Sequence, residues 1–276
     1  MQKVTMLPRM PGVKTALFTR RIVAYHETFA TIGKKSQKKK KTISVVWHEG
    51  TAGQKAEEIT SSYVTALERE RDVKNAVYWV DNCTSQNKNW CLLTTLVSVV
   101  NADSTLMEDI TLKFFELGHT FMSADSYHHG VEQEMKARPG GVVYDFGDFL
   151  HVVATSNAGK VEVVEMKKEN ILAWKAGHSI VKLKKAAAPV MAEIQLRRGS
   201  RSLFYKVSHE EKDFTELDFI MKKVTLETPS TLRTQDRGIE ESKKMDIITK
   251  LCPLMPANRR QFWNALAVNS IAEDEE

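Results

Sequence analysis

Val77-Tyr78-Trp79-Val80-Asp81-Asn82-Cys83-Thr84-Ser85-Gln86-Asn87-Lys88-Asn89-Trp90 is an apolar run that stops at an acid, crosses a polar cluster and enters an apolar segment reaching Val100. The β-branched and aromatic residues from Val77 to Val80 predict a short buried strand. Asp81 then stands at the C-terminal end of that strand, just before a helix. Open α/β folds place their chemistry at this edge, where strands end and helices begin. One carboxylate there suggests a site, and acids from other elements would have to complete it.

Upstream of this run, Phe18 to Phe29 reads as a strand with imperfect alternation, carrying Ile22, Val23, Tyr25 and Phe29. A short segment, Val4 to Leu7, precedes it and stops at Pro8. Thr42-Ile43-Ser44-Val45-Val46-Trp47 is a β-branched strand, and a hairpin with its predecessor is the economical pairing. Ala56, Ile59, Tyr63, Val64 and Leu67 then recur at three- and four-residue spacing, the period of an amphipathic helix. Downstream of Asp81, Trp90, Leu93, Leu96, Val97 and Val100 mark a second helix. Ile110 to Leu117 is a further strand stopped by Gly118, and a third helix covers roughly residues 126–137.

The order βββαβαβα predicts an α/β fold with a ribonuclease H-like mixed sheet flanked by helices: a three-strand antiparallel start, then crossover units that add parallel strands. From about Phe146 the character changes. Phe149–Ala154, Val161–Val164 and Leu203–Val207 read as strands between lysine-rich loops, and Ile239–Leu251 and Ala257–Leu266 as short helices. A boundary near residue 145 therefore separates a core, residues 1–145, from a C-terminal α+β extension, residues 146–276.

Composition bounds the function classes. With 42% hydrophobic and 27% charged residues, the 276-residue chain can bury a sizeable core. Its net charge of +5 permits a nucleic-acid partner without demanding one. Cys83, Cys91 and Cys252 are too few and too scattered for a disulfide framework, which suits a nuclear or cytoplasmic location. No run of about 18 apolar residues is present, so no membrane partner is expected. Nothing indicates a small-molecule substrate, and self-association is left open.

The second acidic constellation lies in Gly118-His119-Thr120-Phe121-Met122-Ser123-Ala124-Asp125-Ser126-Tyr127-His128-His129-Gly130-Val131-Glu132. On a helix beginning near Asp125, Asp125, His129 and Glu132 share a face at i, i+4 and i+7. Val131 and Met135 fall on another face, free to pack on a sheet. Acids there and Asp81 would offer hard oxygen ligands to Mg²⁺ or Mn²⁺. Two such ions can activate a water or a 3′-hydroxyl and stabilise the leaving oxygen of a phosphodiester.

Plainer readings compete at each position. Asp125 suits a helix N-cap. His128 and His129 read as exposed helix residues, and His119 lacks the spacing of a zinc ligand. Asn82, Gln86, Asn87 and Asn89 suit either a nucleic-acid backbone or the capping of the following helix. Glu49, at the end of the third strand, could reach the acidic edge or simply sit in a glycine-shaped turn. Lys38-Lys39-Lys40-Lys41 and Lys88 are the candidate phosphate contacts.

These segments resemble a transposon-related domain of unknown function found in animal genomes, which is similar to a DDE transposase core with the ribonuclease H-like fold. The matching stretches are Phe18–Tyr25, Val46–Gly50, Asp81–Asn89, Gly118–Phe121 with Asp125 and Glu132, and Leu251–Pro253 to Arg260–Trp263. The resemblance implies that Asp81, Asp125 and Glu132 are metal-binding and catalytic candidates, with either Asp125 or Glu132 as the last acid. His119, His129, Asn82, Gln86 and Asn87 would support them. The family reads Gly-Gly where this chain has Thr84-Ser85. Its first aspartate immediately precedes the segment equivalent to Met1–Val4, so the resemblance implies an N-terminally truncated chain with an incomplete acid set and weak or no activity. A non-catalytic module that binds DNA or protein with the same fold is the alternative.

Overall fold

A computed structural model describes residues 2–32, 41–83, 87–116, 123–177, 190–222 and 224–269. In chain order the elements are β1 (Gln2–Leu7), α1 (Lys14–Phe18), β2 (Ile22–Phe29), β3 (Thr42–His48), α2 (Ala56–Leu67), β4 (Asn75–Val80), α3 (Trp90–Asn101) and β5 (Asp109–Phe114). They continue with α4 (Ser123–Ala137), α5 (Phe146–Thr155), β6 (Val161–Glu165), α6 (Trp174–Gly177), β7 (Glu193–Arg197), β8 (Leu203–Lys206), β9 (Thr215–Leu217), α7 (Glu241–Lys250) and α8 (Ala257–Ala265). The chain is a mixed α/β protein with two mixed sheets. No described helix is long and apolar enough to cross a membrane.

The chain divides into two compact units, each assembled from separated stretches. Unit 1 comprises residues 1–53, 122–168 and 233–276, and unit 2 comprises residues 54–121 and 169–232. The boundary expected near residue 145 falls inside unit 1. Long-range strand pairing, invisible in local composition, is what joins these stretches.

Unit 1 holds the sheet β1-β2-β3-β6. The β2–β3 hairpin forms as its β-branched residues predict, with Phe29 opposite Ile43 and Ala24 opposite His48. β1 runs antiparallel to β2, and β6 joins β3 in parallel, from Thr42 beside Val161 to Val46 beside Glu165. β2 is buried along most of its length, so its residues do not alternate cleanly between apolar and polar. Tyr127, Val131 and Met135 of α4 pack with Leu7, Ile22, Ala24 and Val46 of the sheet, and with Phe146, Phe149, Trp263 and Leu266 of α5 and the α8 region.

Two local expectations change in unit 1. Phe149–Ala154 is the body of helix α5 rather than a strand. Its buried positions, Phe146, Phe149, Val152 and Val153, repeat at three- and four-residue spacing, and Asp145 caps the start by accepting from the Asp148 amide at 2.7 Å. The adjacent valines mimic a strand, but capping and periodicity prevail. The strand expected from Phe18 starts at Ile22, because Lys14–Phe18 is a short helix whose last residue faces solvent.

Unit 2 holds the sheet β4-β5-β7-β8-β9. β4 and β5 are parallel, Asn75 beside Asp109 and Val80 beside Phe114. β7 returns antiparallel to β5, placing Ile194 beside Leu112. β4 and β5 therefore belong to a different sheet from β1, β2 and β3, whose outer ladder is taken by β6. The strand expected over Ile110–Leu117 ends at Phe114. Helices α2 and α3 pack together, burying Ile59, Tyr63 and Leu67 and the stripe Leu92, Leu93, Leu96, Val97 and Val100.

Candidate functional site

Two groups of candidate residues are described within their own units. In unit 2, β4 delivers Asp81 as the sequence anticipates, with the side chain partly exposed and without a hydrogen-bond or ion-pair partner among the described residues. Asn87 is buried and shapes the loop that follows. Its Nδ2 donates to the Asp81 carbonyl at 3.0 Å, its Oδ1 accepts from the Tyr63 hydroxyl at 3.0 Å, and its backbone amide reaches the Cys83 carbonyl at 2.8 Å. Asn89 is the N-cap of α3, its Oδ1 accepting from the Leu92 amide at 2.9 Å. Both asparagines make local contacts of the kind the capping reading anticipates. Asn82 is partly exposed.

Lys88 is corrected from a phosphate contact to a packed residue. It is 5% exposed, and its Nζ lies 4.5 Å from the centre of the Phe114 ring. Burial lowers its pKa, the expected cost of drawing an ammonium out of water. The cation–π contact offsets part of that cost. Lys41 is exposed just before β3, while Lys38, Lys39, Lys40, Gln86 and His119 lie outside the described residues.

Replacing Asn87 with alanine is expected to destabilise unit 2 by about 2 kcal/mol, since a buried amide that bridges the Tyr63 hydroxyl and the Asp81 carbonyl is lost. Urea unfolding read by tryptophan fluorescence measures this. A midpoint equal to that of the parent would show that the bridge contributes nothing.

In unit 1, α4 begins at Ser123, so Asp125 lies inside the first turn, where a carboxylate faces the positive end of the helix macrodipole. His129 is exposed and shares a 3.2 Å hydrogen bond with Gln133. Glu132 forms an ion pair with Lys3 Nζ, and that hydrogen bond, with the Lys3 charge, lowers the Glu132 pKa. Glu49 is also committed, accepting from Lys243 Nζ at 2.8 Å. It belongs to an ion pair of unit 1 rather than to an acidic edge.

His128, expected on the exposed side of the helix, is buried. The reason lies in the facing strands, which carry polar residues inward. His128 Nε2 bonds Thr28 Oγ1 at 2.7 Å, Thr28 Oγ1 bonds His26 Nε2 at 3.0 Å, and His26 Nε2 bonds Ser44 Oγ at 2.9 Å. Ser44 in turn donates to the Tyr127 hydroxyl at 3.2 Å. The two imidazole rings lie 4.8 Å apart. Burial pushes the His128 pKa down to about 3, with Lys3 adding to the effect, and holds His26 well below 6.5. His26 and Thr28, polar at alternate positions of an apolar strand, were the sequence signal for this network.

Among the described residues, no three His, Cys, Asp or Glu side chains converge as a metal centre requires. No protein-family model, no curated protein and no solved structure matches the chain.

Proposed function

We propose that the chain is a transposase-derived domain of ribonuclease H-like descent, inherited from a divalent-metal phosphodiester transferase and retaining little strand-transfer activity. The observation that supports this most is Asp81, a carboxylate without a partner among the described residues that follows β4 of the parallel pair β4–β5, its carbonyl bound by Asn87 ahead of the capped helix α3. Parallel strands that end beside helix starts are where such folds keep their reactive groups. In this reading Asp81 is a metal-binding carboxylate, Asp125 and Glu132 are the acids that the resemblance implies, and DNA is the partner. Low activity fits the Lys3–Glu132 pair, which already neutralises one of those acids.

That pair also favours the second reading, a non-catalytic nucleic-acid- or protein-binding module on the same fold. Mn²⁺ binding measured by water-proton relaxation, with plasmid nicking assayed in parallel, tests the first. The expected result is Mn²⁺ binding weakened about tenfold or more in Asp81→Asn, a loss of one charged ligand interaction, with nicking near background. Mn²⁺ binding indifferent to Asp81→Asn, or nicking that needs no metal, would overturn the proposal.

A further inference from the structure

Unit 1 contains a cavity of about 300 Å³ between β1, the chain flanking it and the second half of α4. Lys3, Arg9, Arg21 and Lys136 line it, against a single carboxylate, Glu132. Its volume lies at the small end of the range for ligand sites, enough for a compact polar group.

The charges in this cavity do not balance internally. Lys3 is already paired with Glu132. The Arg9 guanidinium donates to the Gly141 carbonyl, and Arg21 Nη1 donates to the Pro8 carbonyl at 3.4 Å. Carbonyl partners orient a guanidinium without cancelling its charge. Neither arginine has a carboxylate partner among the described residues, and each keeps further N–H donors for another acceptor. Arg21 is half-buried, and desolvation lowers its pKa, as expected of a cation drawn from water with no counter-charge. Lys136, one helical turn beyond Glu132, is exposed at the rim.

The Arg9 side chain is also held in place. Its backbone pairs with Val143 in both directions, at 2.8 and 2.9 Å, and its guanidinium lies over Gly141, where an added Cβ would come within 3.0 Å of Nη1. Among the described residues, β1 hydrogen-bonds only β2. The site therefore offers two oriented guanidinium groups and an ammonium at the rim, all of them donors.

We propose that this cavity binds a phosphate group, either free or within a nucleic-acid strand, with Arg9 and Arg21 as its clamp and Lys136 at its entrance. Tetrahedral phosphate oxygens match the planar, forked donors of two guanidinium groups, whereas a point cation such as lysine would bind without that geometry. The site uses residues of unit 1 alone and does not depend on Asp81 or on the transposase reading.

The test uses the full chain and the anisotropy of a fluorescent single-stranded oligonucleotide, with unlabelled pyrophosphate and an oligoglutamate peptide as competitors. The expected result is that Arg9→Gln and Arg21→Gln each weaken binding about tenfold, the scale of one lost charge-assisted contact. The double variant is expected to reduce the salt slope by roughly 0.7, for one clamped phosphate of a single strand. Lys160→Gln, an exposed cation of the same unit outside the cavity, should leave binding unchanged. Displacement by pyrophosphate would assign the site to free phosphate, and binding of the strand alone would assign it to a phosphodiester. Arg9→Lys and Arg21→Lys retain charge and give the same reading, by partial weakening, should the glutamine variants unfold. No binding of either phosphate probe at low salt, equal weakening by Lys160→Gln, or displacement by oligoglutamate as effective as by pyrophosphate would overturn the proposal.

Discussion

Acidification from pH 7 to pH 5 is expected to cost unit 1 about 4 kcal/mol of stability from His48 and His128, which stay neutral in the folded chain and become charged in the unfolded one, with His26 adding in the same direction. His128 is held at about pH 3 and His26 well below 6.5, while burial lowers His48 to about 4. The sign follows from proton uptake. Between pH 6.5 and the folded values only the unfolded chain binds these protons, so stability is full above about 6.5 and falls as the pH drops. His48 and His128 each contribute about 2 kcal/mol over this interval, at 1.36 kcal/mol per pH unit below 6.5. Carboxylates such as Glu132, whose pKa is lowered, stay ionised throughout the window and do not account for the loss.

Protonating both rings of the His26–His128 pair would bring like charges together at 4.8 Å, beside Lys3 and with Glu132 already engaged. His48 is similarly confined: its ring lies against Phe146 and Phe262, and its Nδ1 accepts from the Gly50 amide at 3.1 Å. Urea midpoints measured from pH 7 to pH 5 give the slope directly. His48→Gln and His128→Gln should each flatten it by about one proton. Identical midpoints at pH 7 and pH 5 would show that these rings titrate normally.

Trp263→Ala is expected to destabilise unit 1 by about 4 kcal/mol, the scale of removing a fully buried indole from a packed core. Trp263 is 1% exposed and packs in the cluster formed by Val46, Phe149, Ile247, Leu251 and Met255. Against a typical domain stability of about 5–15 kcal/mol, that loss leaves little margin. Trp263→Phe should cost much less, about 1–2 kcal/mol, because the indole Nε1 has no hydrogen-bond partner among the described residues and nothing polar is stranded by its removal. Trp174→Phe provides the contrast in unit 2, since Trp174 Nε1 donates to Ser61 Oγ at 3.0 Å. Thermal and urea unfolding of the three variants would check the ranking. A Trp263→Phe variant as unstable as Trp263→Ala would place the energy in the nitrogen rather than in the ring.

Legibility in the sequence was uneven, and for identifiable reasons. The β-branched run Thr42–Trp47, the period of α2 and the apolar stop at Asp81 each announce themselves within ten or twelve residues, and each forms where it is expected. α5 did not, because Val152-Val153 has strand character while its cap, Asp145, lies outside the apolar run. β7 was missed because Glu193-Ile194-Gln195-Leu196-Arg197 is short and its neighbours are distant in sequence. Among candidate site residues, the position of Asp81 was readable, whereas the burial of His128 and Lys88 was not. A helix period places His128 on a face but does not reveal that Thr28 waits opposite it.

Local sequence by itself determined most helices, most strands and the acid at the end of β4, since propensity, period and capping act over a few residues. Tertiary structure alone decided which strands share a sheet, which histidines lose water and which carboxylates lose their freedom to Lys3 and Lys243. Those outcomes depend on pairing between residues about twenty to two hundred positions apart. Desolvation and ion pairing are set by distance in space, a quantity that no local pattern carries.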